Sequence, residues 1–251
     1  MVDSKAWNWN MVKGDHEKYW QEPAMESYYL INRWLSQNKS DFLDLGCGLG
    51  RHTIQFAKAG FNTSGFDLSE TSIKRTGEYA ERAGVKVDLR VGDMLNLPYG
   101  DDSFDCIYCR NVISHTDTAG MRKIVSELKR VLRKGGECYL TLGSKQTWGF
   151  QQDWPVVDEN TKIRVEDGPE NGIPHFYADY DLVVDLFRDF EIVKVFQVED
   201  FIIKDKVLAK DLQQHLEISL SAKNKLIKKT KKVSADNTKS TYPQSQHPLL
   251  L

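Results

Sequence analysis

This 251-residue sequence predicts an α/β fold: a mostly parallel sheet with helices on both faces. Three observations carry that prediction. From about residue 40, short apolar runs alternate with amphipathic stretches, the rhythm of strands joined by crossover helices. The glycine turn Gly46-Cys47-Gly48-Leu49-Gly50 stands between the first of those runs and the first of those helices, where a backbone can approach a ligand closely. Asp67 and Asp93 fall at the ends of the next two strands, and open parallel sheets bind ligands at the carboxyl ends of their strands.

The elements follow in order. Residues 42–45 are the first strand, and residues 51–59, with Ile54, Phe56 and Ala57 apolar, are a helix ended by Gly60. Residues 62–67 are the second strand. Ser69 reads as the N-cap of a helix that runs to Ala83 and stops at Gly84. Val85, Val87, Leu89 and Val91 alternate with polar neighbours and give the third strand. Residues 104–109 form the fourth. Residues 117–133 are amphipathic, with Ile124, Leu128, Val131 and Leu132 on one face and Gly135-Gly136 closing the helix. Residues 138–142 are the fifth strand. Past a long irregular segment, a helix near residues 178–189, a strand near 190–198 and a final strand near 215–222 bring the sheet to seven strands. Val207, Leu208, Leu212 and Leu216 fit a helix as well, so the last part of this reading is less constrained.

The expected organisation has three parts. Residues 1–38 are a helical arm carrying Trp7, Trp9, Tyr19 and Trp20, and residues 39–222 are the α/β domain. Residues 144–177 interrupt it as an insertion with Trp148, Trp154, His175, Phe176 and Tyr177. A structureless loop of that length is unusual in a compact domain, which suggests a functional lid. Its aromatics serve equally well as packing. Residues 223–251 carry six lysines between Lys223 and Lys232, then Ser, Thr, Asn, Gln and Pro, too little apolar surface to offset ordering entropy. A disordered tail is expected there.

Composition limits the function. A net charge of −2 supplies no global field for nucleic acid; the lysine-rich tail is the one feature that points the other way. No apolar run approaches the ~20 residues of a membrane span, and the N-terminus lacks the basic and apolar regions of a secretory signal. A cytoplasmic location with no membrane partner is expected; oligomeric state is not legible. The four cysteines, Cys47, Cys106, Cys109 and Cys138, read as buried free thiols. Cys106 and Cys109 have C-x-x-C spacing but lie three apart on a strand, so their thiols face opposite ways. No metal site is expected.

The glycine turn reads G-x-G-x-G, with Arg51 where a dinucleotide-binding turn has its third glycine. That pattern suits an adenosine ligand without a pyrophosphate. A carboxylate at Asp67 can accept both ribose hydroxyls; capping the next helix is the alternative, a role Ser69 already fills. Asp93 can accept from an adenine amino group beside the Met94 N–H, or be an ordinary turn acid. Asp44 is an acid in an apolar strand and needs partners if buried. His115 follows the fourth strand, where an imidazole can take a proton near neutral pH or only shape the pocket. His52, at a helix start, packs or caps.

Five ordered motifs between residues 28 and 143 resemble the class I S-adenosylmethionine-dependent methyltransferases. They are the glycine turn; Gly65-Phe66-Asp67-Leu68-Ser69; Val91-Gly92-Asp93-Met94; residues 102–107 running on to Arg110-Asn111-Val112-Ile113-Ser114-His115; and residues 128–136 ending in Gly135-Gly136. The resemblance implies a Rossmann-like methyltransferase fold, S-adenosyl-L-methionine as methyl donor and S-adenosyl-L-homocysteine as product. It also implies a cofactor site at Asp44, Gly46, Gly48, Gly50, Arg51, Asp67, Leu68, Asp93, Met94 and Arg110. Asp44 and the Gly46 and Gly48 backbone would face the methionine end, and the Arg110 carbonyl its amino group. The Arg110 side chain is then either solvated or paired at the sheet rim. His115 is the candidate catalytic residue, and the arm would fold over the cofactor. A small-molecule acceptor is expected. An RNA or protein methyltransferase of the same fold and a non-catalytic sensor of the cofactor remain alternatives; a nicotinamide oxidoreductase is disfavoured by Arg51. The atom methylated is not written in the sequence.

Overall fold

The computed structural model describes residues 1–200, 203–204, 207–208 and 213–223. The N-terminal arm contains a 3-10 turn (Trp9–Met11), α1 (Asp15–Tyr19) and α2 (Met25–Ser36). The domain proper runs β1 (Asp41–Leu45), α3 (Arg51–Lys58), β2 (Asn62–Asp67), α4 (Glu70–Ala83), β3 (Asp88–Val91), β4 (Phe104–Cys109), α5 (Thr118–Val131) and β5 (Leu132–Ser144). After it come α6 (Trp148–Gln151), β6 (Val156–Asp158), β7 (Thr161–Ile163), β8 (Pro174–Ala178), α7 (Tyr180–Leu186), β9 (Phe190–Asp200), the short pair β10 (Ile203–Lys204) and β11 (Val207–Leu208), and β12 (Gln213–Ala222).

The central sheet is ordered β3-β2-β1-β4-β5, all parallel, and extends through β12 and β9, with β12 antiparallel to both neighbours. Those are the seven expected strands. Three more join at the far end of β5: β8 pairs parallel with Gly143 and Ser144 and carries the β6–β7 hairpin on its other edge. The mostly parallel Rossmann-like sheet is therefore present, with ten strands among the described residues in place of seven.

Side-chain alternation divides the core between the two faces. Leu43, Leu45, Ile107, Cys109, Cys138 and Leu140 join the cluster under α5 and α7. Phe42, Cys106, Tyr108 and Tyr139 join Trp34 of α2 and Phe56 of α3 on the other face. Cys106 and Cys109 thus lie on opposite sides of the sheet, and all four cysteines are free and buried. On the α2 face, Glu137 of β5 accepts hydrogen bonds from Arg33 Nε and Nη2 at 2.8 Å each and from Trp34 Nε1 at 2.9 Å. These bonds fix the end of the arm to the sheet.

Several boundaries differ from expectation. The third strand begins at Asp88, not Val85, because the Val85 N–H closes the end of α4 by donating to Ala80 O, with Gly84 left-handed between them. Gly135-Gly136 does not end α5. The helix stops at Val131, Leu132 already pairs with Phe104, and a bulge in β5 shifts the register before Glu137 pairs with Cys106. The insertion is not structureless: α6, the β6–β7 hairpin and most of β8 lie inside it. Its strands of three to five residues are too short for alternation to register. Helix α7 is confined to Tyr180–Leu186, since Ala178 still belongs to β8 and Asp179 is the N-cap. The expected disordered tail lies, apart from Lys223, outside the described residues, as do residues 209–212. Among the described residues no helix is long and apolar enough to cross a membrane.

Candidate active site

One cavity opens at the carboxyl ends of β1, β2 and β4, and the cavity with its mouth holds about 1000 Å³, the upper end of the range for small-molecule pockets. Every residue proposed from the sequence lines it except Gly50. Gly50 lies behind the wall: it is the left-handed N-cap of α3 (φ 83°), and a Cβ there would stand 2.6 Å from Thr76 of α4. Its glycine serves helix packing.

Gly48 does face the cavity. It is left-handed (φ 55°), a Cβ would stand 2.8 Å from the Trp9 ring, and its N–H donates to Asp67 Oδ2 at 2.9 Å. Asp67 Oδ1 accepts from Ser69 N at 2.9 Å, while Ser69 itself caps α4 through Ser72 N. The end of β2 and the glycine turn are therefore joined through one carboxylate, whose burial raises its pKa. Two backbone donors leave lone pairs on both oxygens for further donors. Leu68 stands beside it on the wall.

Asp44 shares the sheet face of Phe42, toward α3, and is 2 % exposed. Oδ2 accepts from Thr53 Oγ1 at 2.7 Å. Burial pushes its pKa up to about 7, so at neutral pH a large share of the carboxyl holds its proton, and a cation placed beside it favours release. Asp93 acts as a turn acid through Oδ1, which accepts from Leu95 N at 2.8 Å, and with Met94 it also lines the cavity.

Arg51 and Arg110 are tied to the arm. Arg51 Nη1 donates to the carbonyls of Tyr19 and Glu22 at 3.2 and 3.0 Å, and its guanidinium lies 4.9 Å from the Trp20 ring centre. Arg110 Nε pairs with Glu26 Oε1 at 2.7 Å, so of the two readings its side chain is paired. His52 Nε2 accepts from Ala24 N at 3.1 Å, and burial lowers its pKa, so it packs as a neutral imidazole against Tyr108. The arm closes the cavity from above: Trp7, Trp9 and Trp20 pack edge to face and all three line it.

His115 is also on the wall. Burial, with His175 beside it, lowers its pKa to about 4. It is therefore neutral at physiological pH and a weaker base than an ordinary histidine. Its ring meets that of His175 edge to face at 5.0 Å, and Glu170 Oε1 stands 3.8 Å from Nε2. Sequence reading did not connect Glu170 and His175 to His115, because a fold contact, Phe176 N to Ser114 O at 2.7 Å, brings the segments together. Asn111 was also missed: it is left-handed (φ 58°), with its N–H donating to Thr141 Oγ1 at 2.8 Å.

Residues 42–136 match the family model described as a methyltransferase domain. A sterol 24-C-methyltransferase of Gibberella zeae is 31 % identical over 116 residues, 45 % of this chain and 30 % of that protein. Norajmaline N-methyltransferase of Rauvolfia serpentina is 35 % identical over 103 residues, 40 % and 35 % of the two chains. The chain spans about a third of the length of these relatives. A crystal structure of an S-adenosylmethionine-dependent methyltransferase from Methanosarcina mazei shares the fold, with a TM-score of 0.65 at 21 % identity, covering 81 % of this chain and all of the other. The stretch that carries the glycine turn, Asp67 and Asp93 thus matches a methyltransferase-domain family, and the fold is that of known S-adenosylmethionine-dependent methyltransferases.

Proposed function

We propose that the protein transfers the methyl group of S-adenosylmethionine to a small-molecule acceptor. The observation that carries this reading is the meeting of the glycine turn, Asp67, Asp93 and Asp44 around one cavity roofed by the arm. The donor set suits the cofactor: an acid at the end of β2 for ribose hydroxyls, an acid and an N–H after β3 for adenine, and a buried carboxyl beside the turn for the cationic methionine end. The bound cofactor supplies an activated methyl on a sulfonium.

The chain's own residues then bind, orient and exclude water. Asp67 holds the ribose while keeping Gly48 in register. Asp44 loses its proton to solvent as the positive charge approaches, which exchanges a buried neutral acid for an ion pair. The three arm tryptophans keep the reacting centre dry, and alignment at near-attack distance does the rest. His115 shapes the acceptor side. Sterol and alkaloid methyltransferases among the relatives support a small acceptor, as does a cavity walled by the arm and by Glu170 of the insertion.

The test is incubation of the full chain with S-adenosylmethionine labelled in the methyl group and fractionated cell extract. Label in the small-metabolite fraction is expected; label confined to RNA or protein overturns the acceptor class. Tighter binding of NAD than of S-adenosylhomocysteine overturns the cofactor. Deletion of residues 1–22 should weaken S-adenosylhomocysteine binding at least about tenfold, because it strips Trp9 from Gly48 and the two carbonyls from the buried Arg51. Unchanged affinity in the truncation would remove the lid role.

A further inference from the structure

We propose that His115, Glu170 and His175 form a site for a divalent transition metal at the acceptor side of the cavity. The three residues come from separate elements: the loop after β4, the loop before β8, and β8 itself. One ligand atom from each lies within 4.8 Å of the other two. His115 Nε2 is 3.8 Å from Glu170 Oε1, and His175 Nε2 is 3.7 Å from Glu170 Oε2. Both gaps are too long for hydrogen bonds. They are close to the separation of about 3.3–3.5 Å between ligands that share one zinc at bond lengths of 2.0–2.1 Å. The groups therefore surround a point without bonding directly to each other across it.

The supporting contacts have the character of a built site. His175 Nδ1 lies 3.0 Å from the Ile173 carbonyl; donating to it puts the ring hydrogen on Nδ1 and turns the Nε2 lone pair toward Glu170, the outer-shell arrangement that orients metal-binding imidazoles. Arg164 pairs with Glu170 Oε2 and with Glu166 Oε2, which steadies the carboxylate and leaves Oε1 toward His115. Phe176 N to Ser114 O ties the two histidine-bearing segments, and pairing of Lys162 with His175 in the β7–β8 ladder fixes the strand. Two imidazoles and one carboxylate suit zinc or iron(II) rather than magnesium or calcium.

Three protein ligands leave coordination positions open, and His115 and Glu170 both line the cavity. An oxygen, nitrogen or sulfur atom of the acceptor can fill one of them. The metal would thus hold the acceptor in place, which gives this branch of the cavity a preference for molecules with a metal-binding donor. That use rests on the methyl-transfer reading; the metal site itself does not.

The full chain, stripped with a chelator and dialysed, is titrated with Co²⁺ while visible absorption is followed, and S-adenosylhomocysteine is titrated separately. One equivalent of Co²⁺ with nitrogen and oxygen ligation is expected. Glu170→Gln and His175→Ala should each raise the apparent Kd at least about 100-fold. Zn²⁺ should raise the thermal unfolding midpoint of the wild-type chain and not of the two variants. Absence of saturable uptake by the wild-type chain overturns the site, whether or not a variant folds. So does Co²⁺ binding unchanged in both variants, or a spectrum dominated by thiolate. Binding of S-adenosylhomocysteine without cobalt uptake overturns the metal site alone; cobalt uptake without S-adenosylhomocysteine binding overturns the methyl-transfer reading alone.

Discussion

Asp67→Ala is expected to weaken S-adenosylhomocysteine binding by at least ~2 kcal/mol, about 30-fold, in a calorimetric titration. The carboxylate would lose its bonds to the ligand's hydroxyls, and the turn would lose the acceptor that holds Gly48 N at 2.9 Å and Ser69 N at 2.9 Å. Asp67→Asn separates the two losses. Its single carbonyl oxygen can still accept from one backbone donor, so it should fold like the wild type and bind with intermediate affinity. Near-wild-type affinity in the alanine variant would make Asp67 a turn residue and nothing more.

Asp44→Asn is expected to move stability and binding in opposite directions. In the folded chain burial raises the Asp44 pKa to about 7, against an ordinary value of 3.8. The folded state then holds the proton over a range where the unfolded chain has released it, so stability falls as pH rises from about 4 to about 7. Above that range the cost is of the order of 4 kcal/mol, the three-unit difference converted at 1.36 kcal/mol per unit. Asparagine keeps an oxygen for Thr53 Oγ1 and has no charge to bury. The variant should therefore gain stability over the wild type at pH 8 and match it near pH 4, in urea unfolding at the two values. Its affinity for S-adenosylmethionine should drop, and the wild type's rise in affinity between pH 6 and pH 8 should vanish. Equal stability of the two proteins at pH 8 would mean that folding does not raise the Asp44 pKa.

The sheet was legible in the sequence wherever one strand was continuous. β2 and β4 fall on residues 62–67 and 104–109 as the apolar pattern sets them, and Ser69 and Gly84 frame α4 as cap chemistry requires. The missed boundaries are places where one backbone bond outweighed local pattern: Val85 N to Ala80 O shortens β3, and Leu132 pairing with Phe104 ends α5 early. The same holds for the site. Residues on the glycine turn and at strand ends announce themselves by position, so their place on the cavity wall could be read from the sequence. Glu170 and His175 sit in an insertion with no periodicity, and only the contact between Phe176 and Ser114 shows that they belong with His115. Arg51 and Gly50 were assigned to the ligand because they adjoin the turn. In the structure Arg51 lines the cavity while its guanidinium bonds to the arm, and Gly50 lies behind the wall against Thr76 of α4.

The arm touches both ends of the cavity at once. Trp9 covers Gly48, while Asn8 N donates to Pro169 O at 3.1 Å and Lys5 Nζ to Asn171 O at 2.7 Å, on either side of Glu170. A molecule that lifts the arm at one end strains its grip on the other. Where a ligand at one end displaces the arm, occupancy of the two ends becomes linked, and by reciprocity the factor by which the first ligand alters the affinity of the second is the same in either order of addition.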